Sequence, residues 1–150
     1  MKKSNLKFSA AAKLPTGFRA AGIVAGLKKS RKPDMALIFS DKPAALAGTF
    51  TTNQVKAATV RLDAERVAAG GGARGVVVNS GQANACTGKQ GYRDAQAMAA
   101  HAAQQFGVPA EQFLVCSTGR IGVPLRMDII LPGIEKLAQT VVPGGAEPAP

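Results

Sequence analysis

Between residues 113 and 122 the chain reads Phe113-Leu114-Val115-Cys116-Ser117-Thr118-Gly119-Arg120-Ile121-Gly122. The apolar run 113–116 predicts a short buried strand that stops at the small polar residues 117–119. Thr118 then offers a hydroxyl donor, and Gly119 offers a backbone N–H with no side chain to obstruct what approaches it. Two donors aimed at one point can hold a developing oxyanion. The alternative is a plain strand-end turn, in which the Thr118 hydroxyl bonds nearby backbone.

Length and composition predict one soluble globular domain, or part of one. The chain has 150 residues, of which 46% are hydrophobic, and no apolar run approaches the ~20 residues that cross a bilayer. The N-terminus begins like a signal peptide, but Lys7 and Lys13 interrupt the region that should be apolar, so secretion is not predicted. The only two cysteines, Cys86 and Cys116, predict buried thiols in a reducing cytoplasm.

The net charge of +10 belongs to one end of the chain. Nine of the 19 basic residues precede the first acid, Asp34, so residues 1–33 carry +9 and the remainder carries ten bases against nine acids, or +1. Such a segment is typical of an arm that binds nucleic acid, of a surface that attracts anionic substrates, or of a basic face that is simply solvated. Aromatic residues are scarce, with six Phe, one Tyr and no Trp, so the chain has no set of rings on which bases could stack. This disfavours a nucleic-acid partner.

The pattern of apolar runs predicts mixed α and β structure with antiparallel pairing. Residues 18–27 and 35–39 read as strands, and 45–52 reads as the hairpin partner of the second. Residues 55–62 read as extended and 63–69 as a short helix. A β-branched strand at 75–78 leads through a polar loop to a clear helix at 92–106. Residues 127–130 and 132–140 read as two helical pieces, with Pro132 at a first helical turn.

The sequence gives little support to nucleotide binding, metal binding or a nucleophile within this chain. The loop 81–89 lacks the P-loop spacing, because Ala83 and Gln90 stand where glycine and Ser or Thr are needed. Its polar residues are typical of a structural loop in which short side chains hydrogen-bond the backbone of the loop itself. One histidine, His101, and two distant cysteines provide no metal-ligand spacing, and Cys116 reads as a core thiol. The chain therefore has candidate oxyanion donors but no convincing nucleophile, and we expect the attacking group to come from outside these residues.

Four blocks in order give the chain a specific resemblance, which extends from about Pro15 to Ile134. It resembles the α-chain part of bacterial ornithine acetyltransferase, also called glutamate N-acetyltransferase. The blocks are Thr16-Gly17-Phe18-Arg19-Ala20-Ala21-Gly22, Ala47-Gly48-Thr49-Phe50-Thr51-Thr52-Asn53, Asn79-Ser80-Gly81-Gln82-Ala83-Asn84-Ala85-Cys86-Thr87-Gly88 and Ser117-Thr118-Gly119-Arg120-Ile121-Gly122-Val123-Pro124-Leu125.

The resemblance implies an α/β (α+β) sandwich of the ornithine acetyltransferase/DmpA-like type, with helices outside two packed sheets and completed by a β-chain. Family members cleave their own precursor before a threonine, which becomes the nucleophile of the β-chain, and its free α-amine acts as the base. The acetyl group passes from N-acetylornithine to that threonine and then to glutamate. Thr118 and Gly119 match the family's oxyanion pair. A related architecture serves self-processing aminopeptidases, which remain the alternative enzyme, and a non-catalytic basic nucleic-acid-binding module is the alternative of another class.

We expect no bound cofactor and no metal, with acetyl-CoA left open as a second acetyl donor. The resemblance implies a heterodimer with the β-chain, or a higher oligomer such as a heterotetramer, and the composition predicts a cytoplasmic location with no nucleic-acid or membrane partner. We expect residues 1–14 to be a basic lead-in, 15–140 the α-chain domain and 141–150 a Pro/Gly-rich linker to a downstream segment. This fragment alone is expected to be catalytically incomplete. Arg120 departs from the uncharged residue that is usual in the family, which puts substrate access in doubt.

Overall fold

A computed structural model describes residues 14–143, with side chains described through Val141. The predicted lead-in therefore lies almost wholly outside the described residues, as do residues 144–150 of the predicted linker. The elements in chain order are β1 Phe18–Ile23, β2 Met35–Ala44, α1 Ala58–Ala69, β3 Ala73–Gln82, α2 Gly88–Gln105, a 3₁₀ turn Ala110–Gln112, β4 Phe113–Arg120, α3 Met127–Thr140 and β5 Val142–Pro143.

The five strands form one sheet in the order β4-β3-β2-β1-β5. Neighbouring strands are antiparallel except β3 and β4, which run parallel. The parallel pair is joined through α2, as a parallel crossover requires. Antiparallel pairing with helices packed over a sheet is thus confirmed. The short strand β5 lies in the segment predicted as linker and pairs with β1.

Helices α2 and α3 pack on one face of the sheet, and α1 packs against α2 and along the outer edge of β4. Alternate strand residues on this face are buried with apolar side chains of α2 and α3, and the core includes Leu37, Val77, Phe113, Met98 and Ile134 at 0% exposure. Because successive strand residues point to opposite faces, the other face carries the intervening side chains. No described helix covers it, and it is apolar and partly or fully exposed, with the members Ala36, Ile38, Val76, Val78, Leu114 and Cys116. We call it the open face.

Two predicted elements differ from the structure because of contacts distant in sequence. Residues 45–52 form no hairpin strand: β2 already lies between β1 and β3, so neither of its edges is free. Helix α1 begins at Ala58, where the predicted extended segment should continue. The Ala58 N–H donates to the Asn84 carbonyl at 3.0 Å, and Leu62 is buried in the core. Tertiary packing therefore overrides the β-branched character of this segment.

Helix α3 is continuous where two pieces were predicted. Pro132 lies inside it, at its sixth residue. A proline there removes one hydrogen bond, and burial of the apolar face offsets that loss. Ile130, Ile134 and Leu137 are fully buried against the sheet and α2.

Candidate active site

Thr118 and Gly119 lie at the carboxyl end of β4, which is an edge strand. The strand continues to Arg120, so these residues are its last part and not the predicted turn after it. The parallel register pairs Thr118 with Ser80 and Gly119 with Gly81. Thr118 follows the alternation of Leu114 and Cys116, and its side chain is exposed at the margin of the open face. A second chain packed on that face would meet the Thr118 hydroxyl.

Gly119 holds a position that only glycine accepts. Its φ is 127°, a backbone conformation that residues with side chains rarely adopt. An added Cβ would lie 2.4 Å from the Gly81 carbonyl carbon and 2.5 Å from its oxygen. The close approach of these two glycines lets β4 stay paired with β3 to its end.

The outer edge of β4 has two halves, which differ in whether side chains of α1 bond their backbone groups. In a strand, the N–H and C=O of every second residue point to the same side. Residues 113 and 115 point away from β3, because the Phe113 carbonyl accepts from the Arg66 guanidinium and the Val115 N–H donates to Asp63 Oδ1 at 3.2 Å. By the same alternation the Gly119 N–H also points away from β3, at the edge beyond these two bonds. Gly119 is exposed, so its amide lies where a ligand can reach it.

Asp63 and Arg66 of α1 both lie under the outer edge of β4, where each bonds one of its backbone groups. Burial raises the pKa of Asp63 from 3.8 to about 6, against the opposing effects of the Val115 N–H and of Arg66. Burial likewise lowers the pKa of Arg66, opposed by Asp63. Sequence reasoning missed both residues. The available signal was their spacing of three on one helix, next to the apolar Leu62.

The loop after β3 holds the end of β4 in place. Asn79 and Asn84 are fully buried, and Ser117 Oγ donates to Asn79 Oδ1 at 2.6 Å. The Ala83 N–H donates to the Arg120 carbonyl at 2.9 Å, and the Gly122 N–H donates to the Ala85 carbonyl at 2.8 Å. These bonds fix the backbone on both sides of Gly119, while the buried Gln82 Oε1 finds no partner among the described residues.

The cysteines and the histidine take no part in this arrangement. Both thiols were predicted to be buried, and this is wrong: Cys116 is exposed on the open face and Cys86 is exposed on the loop. Partial burial, followed by the charge of Asp63, raises the pKa of Cys116. His101 lies on α2, where its Nε2 is 3.0 Å from Glu135 Oε1 of α3. This contact is the packing role expected of a helix histidine.

The described part of the chain offers neither a metal site nor a membrane-spanning helix. Between residues 14 and 143 no group of three His, Cys, Asp or Glu side chains is arranged to hold a metal ion. Over the same range no helix combines the length and apolarity that a membrane crossing requires.

Comparison with known proteins identifies the family. The ArgJ family model matches residues 19–149, and the chain belongs to this family. It is 52% identical over 136 residues to the "Arginine biosynthesis bifunctional protein ArgJ" of Parasynechococcus marenigrum, covering 90% of this chain and 33% of the relative. It is 54% identical over 125 residues to the protein of that name from Caldanaerobacter subterraneus, covering 83% and 30%. The chain spans about a third of the length of these relatives.

Solved structures agree with this assignment. Ornithine acetyltransferase from Mycobacterium tuberculosis, crystallised with ornithine, superposes with a TM-score of 0.82 at 43% identity, covering 85% of this chain and 69% of that one. The ArgJ protein of Bacillus halodurans gives a TM-score of 0.78 at 41% identity, covering 84% and 69%. The resemblance seen in the sequence is confirmed, and so is the α/β fold class of ornithine acetyltransferase.

Proposed function

We propose that this chain is the N-terminal, α-chain part of a self-cleaving acyltransferase of arginine biosynthesis, which moves an acetyl group from N-acetylornithine to glutamate. Thr118 and Gly119 form its oxyanion hole. The observation that supports this role most directly is their position: an exposed hydroxyl and an outward-pointing amide at the end of an edge strand, beside a face that no described helix covers. The names of the relatives point to the same pathway.

In the proposed reaction the nucleophile belongs to the β-chain. The hydroxyl of its N-terminal threonine attacks the acetyl carbonyl of N-acetylornithine, and the free α-amine, with a pKa of about 8, takes the proton. The carbonyl oxygen becomes an oxyanion that accepts hydrogen bonds from the Thr118 hydroxyl and the Gly119 N–H. The amide bond then breaks, ornithine leaves with the proton, and an acetyl ester remains on the threonine. The amine of glutamate attacks this ester through the same oxyanion site, and the bond between the acetyl carbon and the threonine oxygen breaks. The α-amine carries the proton from the glutamate nitrogen to that oxygen, so N-acetylglutamate leaves and the threonine is regenerated.

The open face suggests where the β-chain binds. Ile38 is 41% exposed at its centre, and an apolar sheet face of this kind is normally covered by a second layer. We propose that a sheet of the β-chain covers it, which gives at least a heterodimer and is compatible with a heterotetramer. Within this assembly residues 15–140 are the α-chain domain, 1–14 the lead-in and 141–150 the connection to the downstream segment.

The remaining assignments follow from the same scheme. The threonine nucleophile and the two oxyanion donors need no bound cofactor, and acetyl-CoA stays open as an alternative donor substrate. Two free cysteines are consistent with the cytoplasmic location that we propose. The relatives described above lend no support to an aminopeptidase or to a nucleic-acid-binding module. The exposed side chain of Arg120 lies beside the site, where we expect it to affect substrate access.

The test is Thr118→Ala in the complete two-chain protein, with Thr118→Ser as the matched control. Loss of one oxyanion donor is expected to lower the rate of acetyl transfer about 10²–10³-fold, whereas serine keeps the hydroxyl and most of the rate. Stability should change little because the side chain is exposed. Assays with N-acetylornithine, with and without glutamate, separate transfer from hydrolysis. A Thr118→Ala protein that turns over at the parental rate would remove Thr118 from the mechanism.

A further inference from the structure

One cavity in this structure has neither Thr118 nor Gly119 in its lining. It has a volume of about 700 Å³ and is lined by the irregular segment 52–56, by Ala58 and Arg61 of α1, and by loop residues 86–88. A second hollow of about 440 Å³ shares Arg61 and Gly88 with it and continues over Lys89, Tyr92 and Arg93. We call the two together the basic groove.

The lining of the basic groove carries only positive charge. Four cations line it, Lys56, Arg61, Lys89 and Arg93, and no Asp or Glu is among the lining residues. None of the four takes part in the ion pairs found between residues 14 and 143. The Arg61 guanidinium lies over the Tyr92 ring, 5.2 Å from its centroid, which holds this cation at the junction of the two hollows.

The polypeptide backbone adds to this positive potential. Helices α1 and α2 both begin at the groove, and neither has a side-chain cap or an acidic residue in its first turn. The Thr87 hydroxyl, which would be the natural cap of α2, donates instead to Asn84 Oδ1 at 2.7 Å. The positive ends of two helix dipoles therefore meet where the cations are. The cavity and its four cations by themselves favour binding of an anion, and the two helix ends add to the positive potential there.

We propose that the basic groove binds the clustered phosphates of a small, nucleotide-like ligand. A volume of about 700 Å³ lies within the range of ordinary small-molecule sites. Four cations along the two adjoining hollows match several phosphate charges better than they match a single carboxylate. Tyr92 is the only aromatic side chain in the lining, which favours a small ligand over RNA, since RNA needs a series of stacking rings. The lining of the groove contains neither Thr118 nor Gly119, so a Thr118→Ala protein should still bind the ligand and the two proposals can fail separately.

Two exposed cysteines make the groove testable within one molecule. Cys86 lines the cavity, whereas Cys116 lies on the open face. Alkylation of the full chain with iodoacetamide is followed at both cysteines by mass spectrometry, with and without coenzyme A or inorganic pyrophosphate. A ligand at ten times its Kd should slow alkylation of Cys86 about tenfold and leave unchanged the alkylation of Cys116, which the proposed β-chain covers with or without ligand. Protection by coenzyme A alone identifies a nucleotide site, and equal protection by pyrophosphate identifies a general phosphate site; both outcomes support the proposal.

A pair of charge-matched variants separates the groove from net charge. Lys56→Gln with Arg61→Gln should raise the Kd of the protecting ligand about tenfold or more. Lys42→Gln with Lys136→Gln removes the same charge from exposed sites outside the groove and should leave the Kd unchanged. Lys89→Gln with Arg93→Gln provides a second groove variant if the first alters the circular dichroism spectrum.

Four results would overturn the proposal. They are no protection of Cys86 at millimolar ligand, equal weakening by the control pair, no weakening by either groove pair, or protection by single-stranded RNA at lower concentrations than by either small ligand.

Discussion

The two halves of β4 share the same neighbouring strand but differ in what covers their outer edge. In the covered half, residues 113–115, side chains of α1 bond the outward backbone groups: Arg66 binds the Phe113 carbonyl and Asp63 binds the Val115 N–H. In the open half, residues 117–120, the outward amide of Gly119 is exposed. An unpaired strand edge invites non-specific pairing. Helix α1 closes this edge except where the proposed reaction requires a free donor.

Gly119→Ala would disrupt the open half and should have the largest effect. The new methyl group meets the Gly81 carbonyl at 2.4–2.5 Å, and a φ of 127° is unsuited to alanine. The end of β4 must then separate from β3, which displaces both proposed oxyanion donors. We expect at least about 10²-fold loss of acetyl transfer in the complete protein and about 1–3 kcal/mol loss of stability, measured by activity assay and urea denaturation.

Gly107→Ala is the matched control for that change. Gly107 also has a positive φ, 62°, but an added Cβ meets nothing within 4 Å. It should cost about 1–2 kcal/mol of stability, because alanine is unfavourable in the left-handed region, and leave acetyl transfer intact. If both variants showed the same small stability loss and full activity, the close approach of Gly81 and Gly119 would have no part in the site.

Asp63→Ala would disrupt the covered half and should have an intermediate effect. The Val115 N–H loses its acceptor, and an unsatisfied buried donor costs about 1–3 kcal/mol. Asp63→Asn keeps an oxygen near the Val115 N–H and should retain most of the stability. Urea denaturation gives the free energy of unfolding, and hydrogen exchange at Val115 should accelerate in the alanine variant only. Equal exchange at Val115 in both variants would show that the carboxyl group does not protect this edge.

The sequence revealed the open half more readily than the covered half. Small polar residues directly after an apolar run place Thr118 and Gly119 at a strand end, and four ordered blocks identify the family. The strand nevertheless extends to Arg120, because Gly81 and Gly119 approach each other across 38 residues of chain. No local pattern contains that contact. The end of a strand can be predicted locally, but its pairing cannot.

The covered half depends on contacts that local patterns do not encode. Val115 and Asp63 are 52 residues apart, and Phe113 and Arg66 are 47 apart. The start of α1 at Ala58 depends on a hydrogen bond to Asn84, so the segment before Asp63 was misassigned as extended. The same reason explains why the burial predicted for the cysteines is wrong. An apolar setting in sequence predicted burial for Cys116, but the open face is apolar and has no described helix over it.

The smallest expected effect is a pH dependence of the covered half. Asp63 has a pKa of about 6 in the fold, compared with 3.8 as its ordinary value, while Arg66 and Cys116 are its charged and titratable neighbours. Since the pKa is raised on folding, the contribution of Asp63 to stability is fully present below pH 3.8 and is lost as pH rises through about 6. Solvent that still reaches this carboxyl reduces the effect to about 1 kcal/mol.

Relative to Asp63→Asn, the wild-type chain should therefore lose stability between pH 4 and pH 7 in urea denaturation, since asparagine does not titrate. A difference that is constant across this range, or that grows in favour of the wild type, would mean that the edge of β4 does not hold Asp63 in a desolvated state.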